Sequence, residues 1–343
     1  MKPAHRLLLL LAAALAFAGC DAFRSLAPAG GNTSLGTPYE LVVVCGQPEW
    51  TGAVGDALRA RFGAPVAYVN QEEPLFDILR VMPRGFTNMV TRHRNILHVE
   101  IDPAAAEASA TAQYDVRVRP QIEVTLRGPS QQALAAYLDA HGDDLVRVFE
   151  LAERDRAAEY TAIYNEAHIA EAIRRTFGAE MTVPKGYILA KQDSDFIWCR
   201  YEYPAASQGF CIYSYPYAGA GSLTPAALTA ARNRFVSRIP GPAEGSHMTT
   251  SAAFEPDAHP FRLEGRAWIE LRGFWDVEGD FMGGPFVSYT TVDAATNRVF
   301  TLDCYVYSPK LPKRNFLRGV EHLLHTVKFP AAAPAGRTAA ETR

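Results

Sequence analysis

The pattern of apolar and polar positions predicts a chain of mixed strands and helices. "YELVVVCG" is a continuous apolar run of strand length, typical of a buried strand. Val54, Leu58 and Phe62 then recur every four positions before Gly63, which predicts a helix ending there. "APVAYV", "LFDILRVM" and "NILHVEID" predict strands. "YDVRVRPQIEVTL" predicts two short strands or an edge strand broken at Pro120.

The middle of the chain predicts helices. Ser130 can cap a first helix, which Gly142 is expected to interrupt. A helical run of about 35 residues then reaches Phe177, with Gly178 after it. This run, residues 143–178, is predicted to join an N-terminal α+β domain (38–142) to a C-terminal one (179–329).

The last 160 or so residues alternate between strand and helix patterns. Strands are predicted near 186–190, 195–202 and 209–215, followed by a helix capped by Thr224 with Pro225 in its first turn. Strands at 266–275, 286–292 and 298–307 have short connections that favour an antiparallel meander, and a final helix runs from about Pro312 to Val327. The fold class is α+β, with two α+β halves containing antiparallel sheets joined by a long central helix.

The N-terminus has the composition of an export signal. Lys2 and Arg6 precede an apolar stretch, residues 7–17, that is too short to span a membrane. The run "AFAGC" resembles a bacterial lipoprotein signal, in which residues 1–19 are removed and Cys20 carries the lipid. Plain secretion with an incidental cysteine is the alternative. Residues 20–37 are predicted to be a flexible tether and 330–343 a disordered tail.

Charge and cysteine content narrow the function classes. The chain has 34 basic and 37 acidic residues, and loss of Lys2 and Arg6 with the signal would raise the acidic excess to five. This balance argues against nucleic-acid binding. Export would allow disulfides. Cys199 and Cys211 lie symmetrically about residue 205, so a hairpin centred there predicts a disulfide, with two buried free thiols as the alternative. Cys45 is predicted to be a buried thiol.

Common catalytic motifs are absent from the sequence: there is no Gly-x-Ser-x-Gly elbow, P-loop or His-Glu-x-x-His. His322 and His325 share a helix face and could hold a metal, but surface positions near a helix C-terminus are the favoured interpretation. "TRHRN", residues 91–95, could bind an anionic glycan or phosphate, although a solvated turn is favoured. Neither a metal nor a cofactor is predicted.

The last helix begins with an unusual set of cations. Lys313, Arg314 and Arg318 lie in its first turns, where each cation opposes the helix dipole at a cost of about 0.3–1 kcal/mol. A compensating negative group is therefore expected. It would be a carboxylate of this chain, such as Asp280 or Glu278, or a bound anionic ligand.

The stretch "DFMGGPF", residues 280–286, predicts a corner between two strands. Gly284 precedes a proline and is expected to be extended, while Gly283 is expected to take a positive φ. Phe281 and Phe286 are expected to anchor the corner in the core. The corner is also expected to form one wall of a groove.

Several long stretches resemble a family of bacterial envelope lipoproteins, domain of unknown function family 4837, typified by Bacteroides-type lipoproteins. The stretches are "PYELVVV…W", "HRNIL", "IPGPAEGSHMT", "RGFWDVEGDFMGGPF" and "KRNFLRGVE", and the resemblance extends over the mature chain. It implies a lipid-anchored envelope protein and supplies no activity or catalytic residues.

The leading hypothesis is a protein anchored in the outer membrane through Cys20, facing the periplasm, that binds an envelope protein or an anionic glycan. The predicted binding surface comprises Arg272, Trp275, Asp280, Gly283, Gly284, Lys313, Arg314 and Arg318.

Two alternatives remain. One is an envelope hydrolase or transferase using Asp280, Glu278, His247 or Glu321 as acid or base, at least two of which should then converge. The other is an assembly subunit, marked by an exposed apolar patch on the meander. The binding hypothesis expects Arg314→Ala to weaken partner capture and leave thermal stability nearly unchanged.

Overall fold

The computed structural model describes residues 33–329 of the 343-residue chain. The predicted signal peptide 1–19, the lipidation residue Cys20, most of the tether 20–37 and the tail 330–343 lie outside the described residues. Across 33–329, no helix combines the length and the apolar character needed to cross a membrane.

Six α-helices and thirteen strands form between residues 33 and 329, with short 3-10 turns between them. The helices are α1 Gln47–Thr51, α2 Ala53–Phe62, α3 Gln131–Ile163, α4 Ala167–Phe177, α5 Pro225–Val236 and α6 Arg314–Glu321. The strands are β1 Glu40–Val44, β2 Asp77–Val81, β3 Asn95–Ile101, β4 Ser109–Tyr114, β5 Ile122–Gly128, β6 Ile188–Gln192, β7 Phe196–Glu202, β8 Ser207–Pro216, β9 His247–Thr250, β10 Asp257–Leu263, β11 Arg266–Glu278, β12 Gly283–Asp293 and β13 Arg298–Tyr307.

The chain forms two compact units that are not simple halves of the sequence. The first unit contains the described residues up to Ala57 together with Ile78–His141. The second contains Leu58–Asp77 and the chain from Gly142 onward. The second unit therefore includes a segment of 20 residues from early in the sequence and the C-terminal part of α3.

The first unit contains a five-stranded sheet in the order β2-β1-β3-β5-β4. The pairs β1–β3 and β3–β5 are parallel, and β4 is antiparallel to β5. The sequence predicted an antiparallel sheet here. Parallel neighbours need long crossover connections, and α1 and α2 lie in the connection between β1 and β3. Leu41, Val43 and Leu97 are fully buried in this sheet.

The second unit contains an eight-stranded sheet in the order β10-β11-β12-β13-β8-β7-β6, with β9 also pairing with β11. Its paired strands are antiparallel, and β11, β12 and β13 form the predicted meander. The α+β class, the two sheets and the long helix are thus confirmed.

Different helices pack on the two faces of this eight-stranded sheet. On one, here called the closed face, Val287, Leu302 and Cys304 pack against buried residues of α4 and α6 such as Ile173 and Val320. On the other, the groove face, Tyr213, Trp275 and Phe286 belong to a core that includes Leu228 and Phe235 of α5. Successive side chains along a strand point to opposite faces of the sheet, so residues two apart in a regular strand lie on the same face.

The central helical region differs from the prediction. Gly142 does not interrupt the first helix, because α3 runs unbroken from Gln131 to Ile163. A Cβ at Gly142 would lie 2.7 Å from Cγ of Arg61, so the glycine makes room for that side chain. The predicted run 143–178 consists instead of the end of α3 and a separate α4, which ends at Gly178 with a positive φ, as expected.

The predicted disulfide between Cys199 and Cys211 does not form. Trp198 pairs with Cys211 and Cys199 with Phe210, so the two cysteines are offset by one residue. A shift of one residue puts side chains on opposite faces of a sheet. Cys199 lies on the closed face and Cys211 on the groove face, both as free thiols. Burial raises the pKa of each thiol, which makes both poor nucleophiles.

The corner "DFMGGPF" connects β11 to β12 by a hairpin. The positive φ belongs to Gly279 (88°) rather than to Gly283, which already pairs with Asp276 in β12. Phe286 is fully buried, as predicted, but Phe281 is fully exposed at the hairpin tip, against the prediction.

Gly284 is required for packing. The indole of Trp275 crosses this position, and its Nε1 donates a hydrogen bond of 3.1 Å to the carbonyl oxygen of Val306 on β13. A Cβ at Gly284 would overlap that oxygen and lie 3.2 Å from Nε1. The glycine thus lets a large ring lie against the backbone of the sheet.

We expect Gly284→Ala to lower the free energy of unfolding by about 1–3 kcal/mol, because the added methyl group overpacks a rigid backbone contact. Gly221→Ala is the control, since nothing lies within 4 Å of a Cβ there and its φ is not positive. Thermal unfolding followed by tryptophan fluorescence would measure both. Equal midpoints for the two variants would contradict the close packing of Trp275 on Gly284.

Candidate functional site

The predicted basic surface at the start of α6 is buried. Lys313 and Arg314 are 2% and 5% exposed, although two neighbouring cations at a helix start would ordinarily face water. Within the second unit, the Arg314 guanidinium pairs with a carboxylate of the same chain, and Lys313 Nζ donates a hydrogen bond of 3.2 Å to Gln71 Oε1.

Glu73 caps the N-terminus of α6. Its Oε1 accepts a hydrogen bond of 2.6 Å from the backbone N–H of Lys313, and its Oε2 accepts one of 2.8 Å from that of Arg314. The first N–H groups of a helix have no hydrogen-bond partner within the helix. A carboxylate at this position accepts their hydrogen bonds and also interacts favourably with the positive end of the helix dipole. Glu73 therefore offsets the unfavourable position of the cations.

Arg314 and Arg318 each have a carboxylate partner. Arg314 donates to Asp77 Oδ2 (2.6 Å) and to the carbonyl oxygen of Pro74 (2.7 Å). Arg318 donates to Glu150 Oε1, on α3, at 2.6 Å. These are charge-assisted bonds of short length, the stronger class of protein hydrogen bond.

Arg272 joins the same network from β11. It donates to Glu270 Oε1 and Glu321 Oε1, each at 2.6 Å, while Arg318 reaches Glu321 Oε2 at 3.2 Å. Burial by itself would raise the pKa of Glu321, but Arg272 and Arg318 outweigh it and hold that pKa below its usual value. Glu321 is therefore an ionised structural carboxylate.

The compensating negative charge predicted for α6 is thus supplied by this chain, but by other residues than expected. Glu73, Asp77 and Glu150 come from segments far away in sequence, whereas Asp280 and Glu278 are not involved. Arg272 and Arg318 share Glu321 in a partly buried ion network, while the buried Arg314 pairs with Asp77 and the buried Lys313 binds Gln71. These four cations therefore make structural contacts and do not form the predicted ligand surface.

The remaining predicted residues lie at the β11–β12 hairpin. Trp275 is buried, Gly283 and Gly284 lie in β12, and the Asp280 carboxylate accepts a hydrogen bond of 2.6 Å from the N–H of Phe281. Arg272 and Trp275 are three residues apart in one strand, so they face opposite sides of the sheet. The predicted single surface is therefore divided in two.

The candidate acids and bases do not assemble in a cleft. His247 Nε2 lies 3.4 Å from Glu278 Oε2 across the β9–β11 pair, but the Glu278 side chain is 72% exposed. Glu321 belongs to the buried network and Asp280 to the hairpin tip. Of the four, only His247 and Glu278 approach each other, and they do so at the solvent-exposed surface.

His322 is buried, against the predicted surface position. Its Nε2 lies 3.1 Å from the Thr161 hydroxyl of α3, and its Nδ1 lies 2.5 Å from the Gly319 carbonyl. Burial lowers the pKa of His322 and lowers that of His325 to about 3, so both rings are neutral at pH 7. Residues 33–329 contain no group of three or more His, Cys, Asp or Glu arranged to hold a metal ion.

A groove of about 1020 Å³ opens on the groove face of the eight-stranded sheet. It lies where α5 leaves that face uncovered. Residues from the end of the meander and from three other segments line it: Trp275, Val277, Met282, Tyr305, Tyr307, Lys310, Ile239, Pro240, Gly241, Pro242, Met248, Trp198, Arg200, Glu202, Ile188, Leu189 and Ala190, with the β7–β8 turn at 203–207. The hairpin corner thus forms part of a groove wall, as predicted.

Aromatic rings laid over glycines make the floor. Besides Trp275 over Gly284, Tyr305 crosses Gly209, where a Cβ would collide with its phenol. The Tyr305 hydroxyl accepts a hydrogen bond of 2.7 Å from Trp198 Nε1. The rings of Trp275 and Tyr305 meet edge to face at 5.7 Å. These contacts fix the floor before any ligand arrives.

Charged side chains lie at the β7 and β13 side of the groove. Arg200 lies over the ring of Trp198 (5.8 Å) and forms a 3.1 Å ion pair with Glu202. Lys310 is exposed in the turn after β13, which is closed by a hydrogen bond of 3.0 Å from the Ser308 hydroxyl to the Leu311 carbonyl. Sequence reasoning missed these residues, although Trp198, Arg200 and Glu202 alternate along one strand face.

We expect Arg314→Ala to destabilise the protein by about 2 kcal/mol, because it leaves Asp77 and the Pro74 carbonyl without their charged donor. This reverses the expectation drawn from the sequence. Lys310→Ala removes an exposed cation nearby in sequence and should leave the unfolding midpoint unchanged. Chemical denaturation of both variants would measure the difference, and an unaltered midpoint for Arg314→Ala would restore the idea of an available basic surface.

Two solved structures show distant likeness to part of the chain. The Ran-binding protein Mog1p of Saccharomyces cerevisiae has a TM-score of 0.31 at 7% identity, covering 45% of this chain and 92% of its own. LpqN of Mycobacterium tuberculosis, described as involved in cell envelope biogenesis, has a TM-score of 0.26 at 16% identity, covering 43% and 82%. No curated protein matches the sequence significantly.

Two family models match adjacent segments. Residues 166–326 match the domain of unknown function DUF4837, and residues 34–162 match a different one, DUF8532. The resemblance predicted for the whole mature chain is thus confirmed over residues 166–326, while "PYELVVV…W" and "HRNIL" fall in the other segment. Two successive segments of the chain are therefore similar to domain families of unknown function, the first to DUF8532 and the second to DUF4837.

Proposed function

We propose that this chain is a lipid-anchored protein of the cell envelope that acts by binding an envelope component in the groove of its second unit. The observation that carries the binding function is the preformed aromatic floor. Large, mostly apolar concave sites with a few polar groups are the usual form of ligand sites. Here Gly209 and Gly284 make room for the rings, which hydrogen bonds hold in place, so little conformational entropy would be lost on binding.

The anchor is supported by the N-terminal sequence. Basic residues, a short apolar stretch and small residues precede Cys20, and the tether that follows would let the folded part reach away from a membrane surface. We propose the outer membrane, with the folded part in the periplasm. Attachment through the lipid on Cys20 is then the contact with the membrane.

Binding is favoured over the alternatives by what lines the groove. Asp280, Glu278, His247 and Glu321 are not among its lining residues, so the groove does not bring the candidate acids and bases to a ligand. The assembly alternative predicted an apolar patch on the meander. Among the described residues 266–307, Phe281 is the large apolar side chain that is exposed, which is a single residue and not a patch.

The lipid anchor can be tested with Cys20→Ala. The wild-type chain should partition into detergent and carry an acylated N-terminal cysteine by mass spectrometry, because the lipid is attached at that residue. The variant should lack the acyl mass and lose detergent partitioning. A wild-type chain with an unmodified N-terminus, recovered in the aqueous phase, would contradict the anchor without affecting the groove.

The groove can be tested with Tyr307→Ala, which removes a half-buried ring from its lining. We expect envelope glycans, muropeptides or envelope peptides to raise the unfolding midpoint of the full chain by several degrees, and this shift to be lost in the variant. Tyr160→Ala, an exposed tyrosine of α3 outside the groove, is the matched control. If Tyr307→Ala kept every shift that the wild type shows, the groove would not be the site.

A further inference from the structure

The chemistry of the groove indicates a class of ligand, and we infer that it is a saccharide carrying a carboxylate. This inference rests on the groove being the binding site. Three features support it: the ring faces in the groove, the pairing of donors and acceptors at one side, and an excess cation there.

The aromatic side chains suit a sugar ring. Trp198 and Tyr307 are partly exposed in the groove, while Trp275 and Tyr305 beneath them are buried and hydrogen-bonded. A saccharide presents a flat face of C–H groups to such rings and hydroxyl groups at its edge. A volume of about 1020 Å³ is at the upper end for small-molecule sites, so more than one ring can enter.

The charged side chains suit the edge of the same ligand. The ion pair of Arg200 and Glu202 offers both donors and an acceptor to hydroxyl groups. A purely apolar ligand such as an acyl chain would have to desolvate these groups without replacing their hydrogen bonds, which is costly. A hydroxyl-rich ligand replaces them.

Lys310 gives the groove lining a net positive charge. The lining has two cations against one carboxylate, and Glu202 is already paired with Arg200. Within residues 33–329 the Lys310 side chain has no ion pair or hydrogen bond. The whole chain is acidic, with a net charge of −3, so an uncompensated cation beside a groove attracts an anionic group locally against the overall charge.

An extended peptide fits less well. Its natural position would be beside the edge strand β6, whose residues Ile188 and Leu189 line the groove. The β6–β7 register shifts between Leu189 and Lys191, and Lys191 lies 4.0 Å from Asp193. Bulges and charges at an edge are features that discourage strand addition.

The test is a titration of the full-length chain, purified in detergent, with the disaccharide of N-acetylglucosamine and N-acetylmuramic acid. The matched probe is the methyl ester of the same disaccharide, which lacks only the charge. Tryptophan fluorescence would report binding, since Trp198 and Trp275 line the groove. We expect the acid to bind at least tenfold more tightly than the ester.

Variants separate this inference from the proposed function. Lys310→Ala should weaken binding of the acid at least fivefold and leave the ester unchanged, Lys310→Arg should retain the preference, and Tyr307→Ala should weaken both probes. Lys328→Ala, an exposed lysine outside the groove lining, is the control. Equal affinity for acid and ester, both lost in Tyr307→Ala, would overturn the carboxylate inference and leave the groove as a ligand site.

Absence of binding by either probe would overturn the saccharide inference. A photo-crosslinking residue placed at position 310 in cells would then test whether the groove binds a protein. Capture of a protein there would make the groove a protein-binding site, whereas no capture and no ligand-induced shift in any assay would overturn the groove as well.

Discussion

The neutralisation of the cations at the start of α6 is the constraint on which the second unit depends. Lys313 and Arg314 are buried beside the N-terminus of a helix, where the dipole is unfavourable to them. Burying such cations is costly unless they are ion-paired or hydrogen-bonded, and Lys313 Nζ donates to Gln71 Oε1. Glu73 satisfies the helix N–H groups, and Asp77 and Glu150 bind the guanidinium groups of Arg314 and Arg318. Removing Asp77 would take the 2.6 Å ion pair from the buried Arg314 guanidinium, and removing Glu73 would leave two helix N–H groups without this acceptor.

The same ion pairs connect parts of the chain that match different family models, so the boundary between the two matches is not the boundary between the two compact units. The boundary between the two family matches falls at residues 163–165, between α3 and α4. The compact second unit nevertheless includes Leu58–Asp77 and the end of α3. Those parts supply Glu73, Asp77 and Glu150. They also supply Phe62, Phe76 and Phe149, whose rings meet edge to face within 5.7–6.1 Å. The DUF4837 segment thus folds against parts of the DUF8532 segment.

The closed face and the groove face of the eight-stranded sheet have different consequences. On the closed face, α4 and α6 pack on the sheet, and Glu321 at the end of α6 forms a partly buried ion pair with Arg272 of β11. On the groove face, α5 covers only part of the sheet. There Arg232 of α5 forms a fully buried 2.7 Å ion pair with Asp303 and lies 3.7 Å from the Phe286 ring centroid, which fixes the helix in place. The uncovered remainder, floored by Trp275 and Tyr305, is the groove.

The local sequence pattern was sufficient to locate several elements of the fold. Apolar runs gave the positions of β1 and of the meander, the Thr224–Pro225 pair marked the start of α5, and Phe-Gly at 177–178 marked the end of α4. The corner at 280–286 was also identified as part of a groove wall. These features depend on periodicity, capping and turn preference, which act over a few residues.

Tertiary structure decided the rest. The offset of Cys199 from Cys211 depends on a hairpin register that differs by one residue from the symmetric one. Asp77, which binds Arg314, and Glu150, which binds Arg318, lie 237 and 168 positions away in sequence. The sequence by itself determined the meander, several helix ends and the acidic balance. Only the tertiary structure decided which cations are neutralised and which rings face a groove. Both depend on contacts between residues that are distant in the chain.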